Sequence, residues 1–249
     1  MALSSCIPVS TDAKGRKLIE HGTALFPVAC YHDDLQRLEV AWYWHEALEV
    51  LVVEKGTARV SVNGADHLVR QDEGFFINTG ILHGAWQEGA EPCRLHSIVF
   101  HPRFVGGSVD SILWQKYLEP LLTDSSWPCV YFSNRSVWEA AASKIIEAAW
   151  QLCVSEEEGF EFRTRELLSQ IVLLLFQNQP PTEKKTSEKV IRDGKRTKAM
   201  LQYIQAHYHE EISLLQIAES AHICESECLW CFRSVIGRSP IQYVKQVRV

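Results

Sequence analysis

Residues 43–56 read YWHEALEVLVVEKG, with His45 and Glu49 set four apart ahead of an apolar run that stops at Gly56. Side chains on a strand alternate between its two faces. A regular extended reading therefore sends Tyr43, His45 and Glu49 to one side. The run itself is rich in β-branched residues and short enough for a strand buried on both faces. A histidine and a carboxylate beside such a strand form a pair of metal or ligand donors facing an interior, and His83 is a candidate third.

The pattern continues outward from this stretch. LEVAWYW precedes it, and TARVSV follows with Asn63-Gly64, a strong two-residue hairpin signal, before DHLVR. Asp72-Glu73-Gly74 marks another turn, then FFIN, a break at Thr79-Gly80, LHGAW, a loop at Glu88–Pro92, and RLHSIVF. Short strands at this spacing imply a sandwich or closed barrel over roughly residues 20–105. Residues 1–37 carry Pro8 and Pro27, which discourage long helices.

Helical periodicity takes over next. SVDSILWQKYLEPLL reads as a short helix stopped near Pro120. A second starts at Val137 behind the N-cap candidate Ser136, with Trp138, Ala141, Ile145, Ala149 and Leu152 as its apolar stripe. A third spans Phe162–Phe176 and ends LLSQIVLLLF, apolar on nearly every side, which calls for burial in the core or against a second subunit. QNQPPTEKKTSEKVIRDGKR reads as a charged tether. Beyond it lie an amphipathic helix around Met200, Tyr203, Ile204 and His207, then two short helices joined by a tight turn, closed by Gly237 and Pro240.

With 46% apolar and 22% charged residues in 249, the composition is that of a soluble globular protein rather than a membrane or disordered one. No run is long enough for a membrane helix, and the first residues lack a secretory pattern. The eight cysteines are then expected as free thiols in a cytoplasm. Residues 182–249 hold 11 Lys+Arg against 8 Asp+Glu, on an otherwise acidic chain. A mildly basic tail permits nucleic-acid binding.

His45, Glu49 and Gly56 resemble the first cupin motif, and Gly74 with NTGILH through His83 resembles the second, with Asn78 where that motif carries proline. In the family, three histidines and a glutamate hold a metal on facing strands. Here Tyr43 stands at the first histidine position and Gln87 at the position of the closing asparagine. The resemblance implies a double-stranded β-helix (jelly-roll) barrel whose pocket is lined by Tyr43, His45, Glu49 and His83. Three N/O donors with open positions suit a divalent metal such as Zn, Fe or Ni. The plainer alternative is a hydrogen-bonded cluster lining an organic effector pocket. Trp42 and Trp44 are expected to pack on the far side, and His96 adds a donor if it faces inward.

Leu214, Ile217, Ala218, Ile223, Cys228, Cys231, Phe232, Gly237, Pro240 and Tyr243 resemble the first helix-turn-helix of AraC-type transcription regulators, which often join a cupin to such a domain in this order. The implied α+β chain has a cupin effector-binding domain at 1–107, a helical dimerisation segment at 108–179, a linker at 180–196 and the helix-turn-helix unit at 197–249. Glu225, Ser226, Glu227, Trp230 and Arg233 are the expected groove-facing residues, Trp230 replacing a usual arginine. The resemblance implies a cytoplasmic, homodimeric, ligand-responsive regulator that is not an enzyme. A cupin dioxygenase or isomerase and a dimerising remnant without DNA binding are the rival readings. In the family a second helix-turn-helix follows the helix in which this sequence ends, at KQVRV. Specific DNA binding by this polypeptide is therefore expected to be weak, and a gel shift showing nanomolar, salt-resistant, sequence-specific binding would refute that expectation.

Overall fold

The computed structural model describes residues 21–124, 126–178 and 188–248. The readings around Pro8 and over 179–187 fall outside them. The described chain divides into two compact units, the first ending with the helices that follow the β strands and the second carrying the C-terminal helices.

Nine strands form two antiparallel sheets in the first unit: β1 (Val28–Asp34), β2 (Val40–Tyr43), β3 (Leu48–Lys55), β4 (Thr57–Val62), β5 (Ala65–Arg70), β6 (Gly74–Ile77), β7 (His83–Gln87), β8 (Arg94–Phe100) and β9 (Cys129–Phe132). Their orders are β1-β8-β3-β6-β9 and β2-β7-β4-β5. This is the jelly-roll-like α+β fold that the family resemblance implied. Gly56 sits at φ +79°, where an added Cβ would lie 2.5 Å from the Pro92 carbonyl oxygen, so glycine is required at the β3–β4 turn. Asn63 and Gly64 both have positive φ, as a type I′ hairpin demands.

β3 is buried from Leu48 to Val53 because apolar groups cover both its faces. Leu51 and Val53 point into the barrel with Val60, Phe75, Ile77 and Leu95. Leu48, Val50 and Val52 point outward to a second core completed by α3 (Val137–Ser155) and α4 (Phe160–Gln177). Ser136 caps α3, accepting from the Glu139 N–H. The buried stripe of α3 is Ala142, Ile146, Ala149, Trp150 and Cys153, one residue round from the expected one. Ser143 joins the buried face because its hydroxyl donates to Asn134 Oδ1 and to the Glu139 carbonyl.

Two expectations need correction, and one strand is added within the expected β region. Pro120 does not stop a helix: a π-helical turn at Trp114–Leu118 runs into α2 (Glu119–Thr123), following the short α1 (Arg103–Gly106), and Pro120 occupies the first turn of α2, where its missing N–H costs nothing. The sheet does not end near residue 107, since β9, inside the segment read as purely helical, pairs with β6. β1 falls in a stretch that showed no strand pattern, and it pairs with β8 over Val28–Asp34.

Asn78 shows what the motif's missing proline makes room for. It is buried, its Nδ2 donates to the Leu121 and Trp127 carbonyls at 2.7 and 3.0 Å, and its Oδ1 accepts from the Thr79 N–H. One side chain thus ties the α2–β9 connection to the barrel.

The second unit contains α5 (Glu188–His207), α6 (Leu214–Ser220), α7 (Glu225–Ile236) and α8 (Pro240–Val247). Helix α5 begins inside the expected 180–196 linker. Its buried stripe of Asp193, Thr197, Met200, Leu201 and Ile204 starts with polar residues, so the apolar pattern hid its first turns. Ser213 and Ser239 build capping boxes with Gln216 and Gln242.

Replacing Asn78 by alanine strips two buried carbonyls of a donor, at an expected cost of about 1–3 kcal/mol. Urea unfolding of Asn78→Ala should show a lower midpoint at unchanged slope; an unchanged midpoint would mean the clamp contributes nothing.

Candidate functional site

The donors of residues 43–56 do meet, though not along one strand. β2 ends at Tyr43 and β3 begins at Leu48, so His45 belongs to the segment that crosses between the two sheets. The single extended reading fails there because Tyr43 and Glu49 lie in different sheets. The crossing is fixed by its backbone, the His45 carbonyl accepting from the Gly80 N–H at 2.8 Å. Tyr43 stands directly opposite His83 in the β2–β7 register, with ring centroids 4.3 Å apart. Glu49 reaches in from β3.

All three partners converge on one oxygen. Glu49 Oε2 accepts from the Tyr43 hydroxyl at 3.0 Å and lies 3.0 Å from His45 Nε2 and 3.1 Å from His83 Nε2. The other ring nitrogens face carbonyls: His45 Nδ1 lies 3.0 Å from Ala47 O and His83 Nδ1 2.8 Å from Ile81 O. A carbonyl only accepts, so each Nδ1 carries a proton; Nε2 then donates to Glu49 when it too is protonated and offers its lone pair to a cation when it is not. Burial holds the His45 pKa below its usual value, against the raising influence of Glu49. Burial pushes the Glu49 pKa up, but the hydrogen bonds and charges of His45 and His83 outweigh it and hold the carboxyl well below the usual range. Burial, then the charges of Glu49 and Asp33, push the Tyr43 phenol well up, so it stays a neutral donor.

Two imidazole lone pairs and an ionised carboxylate oxygen facing one point make a donor set for a cation. Histidines that ligate metals characteristically donate the far N–H to a carbonyl or carboxylate. His45, Glu49 and His83 fit a divalent metal on these grounds, with Tyr43 standing as a hydrogen-bond donor where a fourth ligand would be.

The adjoining cavity measures about 20 Å³ and is lined by Asp33, Tyr43, Glu49, His83 and Ser97 among others. That is room for roughly one water, whereas organic ligands occupy roughly 300–1,000 Å³. Asp33 and Ser97 escaped the sequence reading, Asp33 because β1 carried no strand signal. His96 faces away from the barrel and stacks on Trp150 at 3.5 Å. Trp42 is buried against Trp86, as packing requires, and Trp44 is half-buried.

In the second unit, Glu225, Ser226, Glu227, Trp230 and Arg233 are all exposed on α7, while Cys228, Cys231 and Phe232 form its buried face. Helices α6 and α7 are joined by residues 221–224. Trp230 is 51% exposed and carries Lys189 Nζ 4.2 Å above its ring, so a cation stands on this face despite the missing arginine. Arg196 reaches Glu227 at 3.6 Å. Cys224 is exposed and Cys228 and Cys231 are buried, so the three thiols do not share an environment.

Comparison with known proteins gives four findings. Residues 25–172 match the family described as the AraC-like ligand binding domain. The chain is 27% identical over 244 residues to an uncharacterized HTH-type transcriptional regulator, YdeC, of Bacillus subtilis strain 168, covering 96% of this chain and 81% of that protein. Among solved structures it is similar to apo ToxT of Vibrio cholerae strain SCE256, at 10% identity and TM-score 0.40 over 88% of this chain and 97% of that one. A double-stranded β-helix protein from Klebsiella pneumoniae also matches, at 25% identity and TM-score 0.26 over 29% of this chain and 61% of that one.

The depressed Glu49 pKa has a definite sign in metal-stripped protein. An ionised Glu49 favours the fold above the unfolded glutamate pKa of about 4.3, and the contribution is lost as pH falls toward the lower folded value. The stability gap between the wild type and Glu49→Gln should be flat above about pH 5 and shrink below about pH 4. Urea titrations in EDTA from pH 7 to pH 3 measure it, and a gap that widens on acidification would contradict the assignment.

Proposed function

We propose, for a chain that belongs to the family of AraC-like ligand binding domains, that it is a transcription regulator sensing its effector inside the barrel and reading DNA through α6 and α7. The convergence of Tyr43, His45 and His83 on Glu49, within the matched region, carries this reading. The donor set beside a water-sized cavity among the described residues favours a divalent cation of the Zn, Fe or Ni class as effector, held by His45, Glu49 and His83. A bound cation supplies the positive charge that this buried carboxylate and the two lone pairs face.

The signal has a short physical route within the first unit. Glu49 faces inward, while its neighbours Leu48 and Val50 touch the core shared with α3 and α4. A shift of β3 on loading is therefore felt by both helices. Arg233 on α7 and Lys189 of α5, held over Trp230, are the cations suited to phosphate or guanine, and Glu225 and Glu227 suit cytosine amino groups or exclude other contacts. Action on DNA places the protein in the cytoplasm, consistent with free cysteines.

A homodimer through α4 is part of this reading. Phe162 is 81% exposed, and with Leu113 and Leu173 it lines an open groove of about 460 Å³ along α4. A second copy of α4, carrying the same apolar face, is the occupant proposed. The enzyme alternative has the same donor set, but the matched family and the curated relative are named for ligand binding and regulation.

The test is a thermal-shift titration of chelator-stripped protein with Zn²⁺, Fe²⁺ and Ni²⁺. At least one should raise Tm, and in a His32→Ala background, which removes the outer histidine, His83→Ala should abolish that response; indifference to all three sinks the cation reading. Sedimentation should show Phe162→Glu as monomer where the wild type is dimer, and a monomeric wild type removes the dimer from the proposal.

A further inference from the structure

On the face of the five-stranded sheet opposite Glu49, a second set of metal-capable side chains gathers where β1, β3 and β8 meet α3. His32 on β1 stands directly across from His96 on β8. Glu54 follows Leu48, Val50 and Val52 on the outward face of β3, beside a register shift between Val53 and Lys55. Its Oε2 lies 3.3 Å from His32 Nε2 and 4.0 Å from His96 Nε2, and the three ligand atoms lie within 4.8 Å of one another. Two ligands about 2.1 Å from a tetrahedral zinc stand roughly 3.4 Å apart. His32 and Glu54 are half-exposed and free to make that adjustment.

His96 is held as a ligand would be. Its Nδ1 lies 2.8 Å from Glu147 Oε2 on α3, and Glu147 Oε1 in turn accepts from Gln151 Nε2 at 2.8 Å. A carboxylate at Nδ1 keeps the proton there and leaves the Nε2 lone pair directed at Glu54, at a separation too long for a hydrogen bond. This is the carboxylate–histidine pairing that fixes ring orientation and raises ligand basicity at metal sites. The ring lies flat on Trp150, whose indole N–H donates to the Tyr31 carbonyl at 2.8 Å. Arg94 Nε, 3.0 Å from Glu54 Oε2, is the cation that an incoming metal must displace, and its side chain is 40% exposed. A purely structural ion-pair network explains Arg94 and Glu147. It leaves unexplained why two imidazoles, one of them rigidly preset, converge on the same carboxylate oxygen as the arginine.

We propose that His32, Glu54 and His96 form a second divalent-cation site of the zinc class on the outer face of the sheet, with Glu147 as the positioning carboxylate. It does not rest on the barrel site. Its ligands come from three strands and its positioning group from α3, so loading would staple that helix to the sheet.

The experiment is a Zn²⁺ titration of the full chain against a chromophoric chelator, counting equivalents. His32→Ala and Glu54→Gln should each lose one equivalent relative to wild type, whatever the barrel holds. Glu147→Gln should retain the equivalent with affinity weakened by about 10–100-fold and an unchanged metal-free Tm. His83→Ala, which disables only the barrel donors, should leave this equivalent intact. Since His32 is half-exposed, its alanine variant should fold, and near-UV circular dichroism checks it. Wild-type stoichiometry and affinity in both His32→Ala and Glu54→Gln would overturn the proposal.

Discussion

The structure depends on a charge buried at the start of β3, on Glu49. This strand has apolar contacts on both faces, yet Glu49 carries an ionised carboxylate into the barrel from it. An uncompensated charge there would cost several kcal/mol, and breaking such a cluster by removing one partner is typically worth about 3–5 kcal/mol. Tyr43 and His83 are set by strand register, and His45 by a crossing segment whose carbonyl is pinned to Gly80. Compensation therefore draws on both sheets at once. The barrel closes around the carboxylate as much as around its apolar side chains.

The fold was legible where periodicity and turn chemistry agree. Gly56, Asn63-Gly64 and the alternation of TARVSV gave the strands from β3 to β8 at nearly their observed positions. Residues that act through polar contacts left no such trace. β1 mixes His32, Asp33 and Asp34 with its apolar residues because it serves two sites, so its pattern looks irregular. β9 is four residues inside a helical region, recognisable only by its pairing with β6. The first turns of α5 bury Asp193 and Thr197, where the Thr197 hydroxyl donates to the Asp193 carbonyl at 2.9 Å and Cys231 Sγ approaches the same oxygen at 3.3 Å. The motif residues of the barrel were readable, but the route by which they meet was not, since spacing along a chain does not reveal a change of sheet between Tyr43 and Leu48.

The two histidine–carboxylate groups differ in a way that sequence spacing cannot convey. Around Glu49 the imidazoles owe their orientation to backbone carbonyls, which are fixed by the fold and indifferent to pH. Around Glu54 the critical imidazole owes its orientation to Glu147, a side chain on a different element. The inner group is thereby as rigid as the barrel. The outer one depends on the seat of α3 against the sheet.

β9 bears on what counts as a domain here. The strand that edges β6 comes after α1, the π-helical turn and α2, and Asn78 holds the same connection from within the barrel. A fragment cut after β8 would leave β6 with a bare row of amide and carbonyl groups on its outer side, a template for pairing with other chains. The compact unit is therefore not the barrel alone. It runs at least to Phe132, and because the outer core needs α3 and α4, it extends in practice to Gln177.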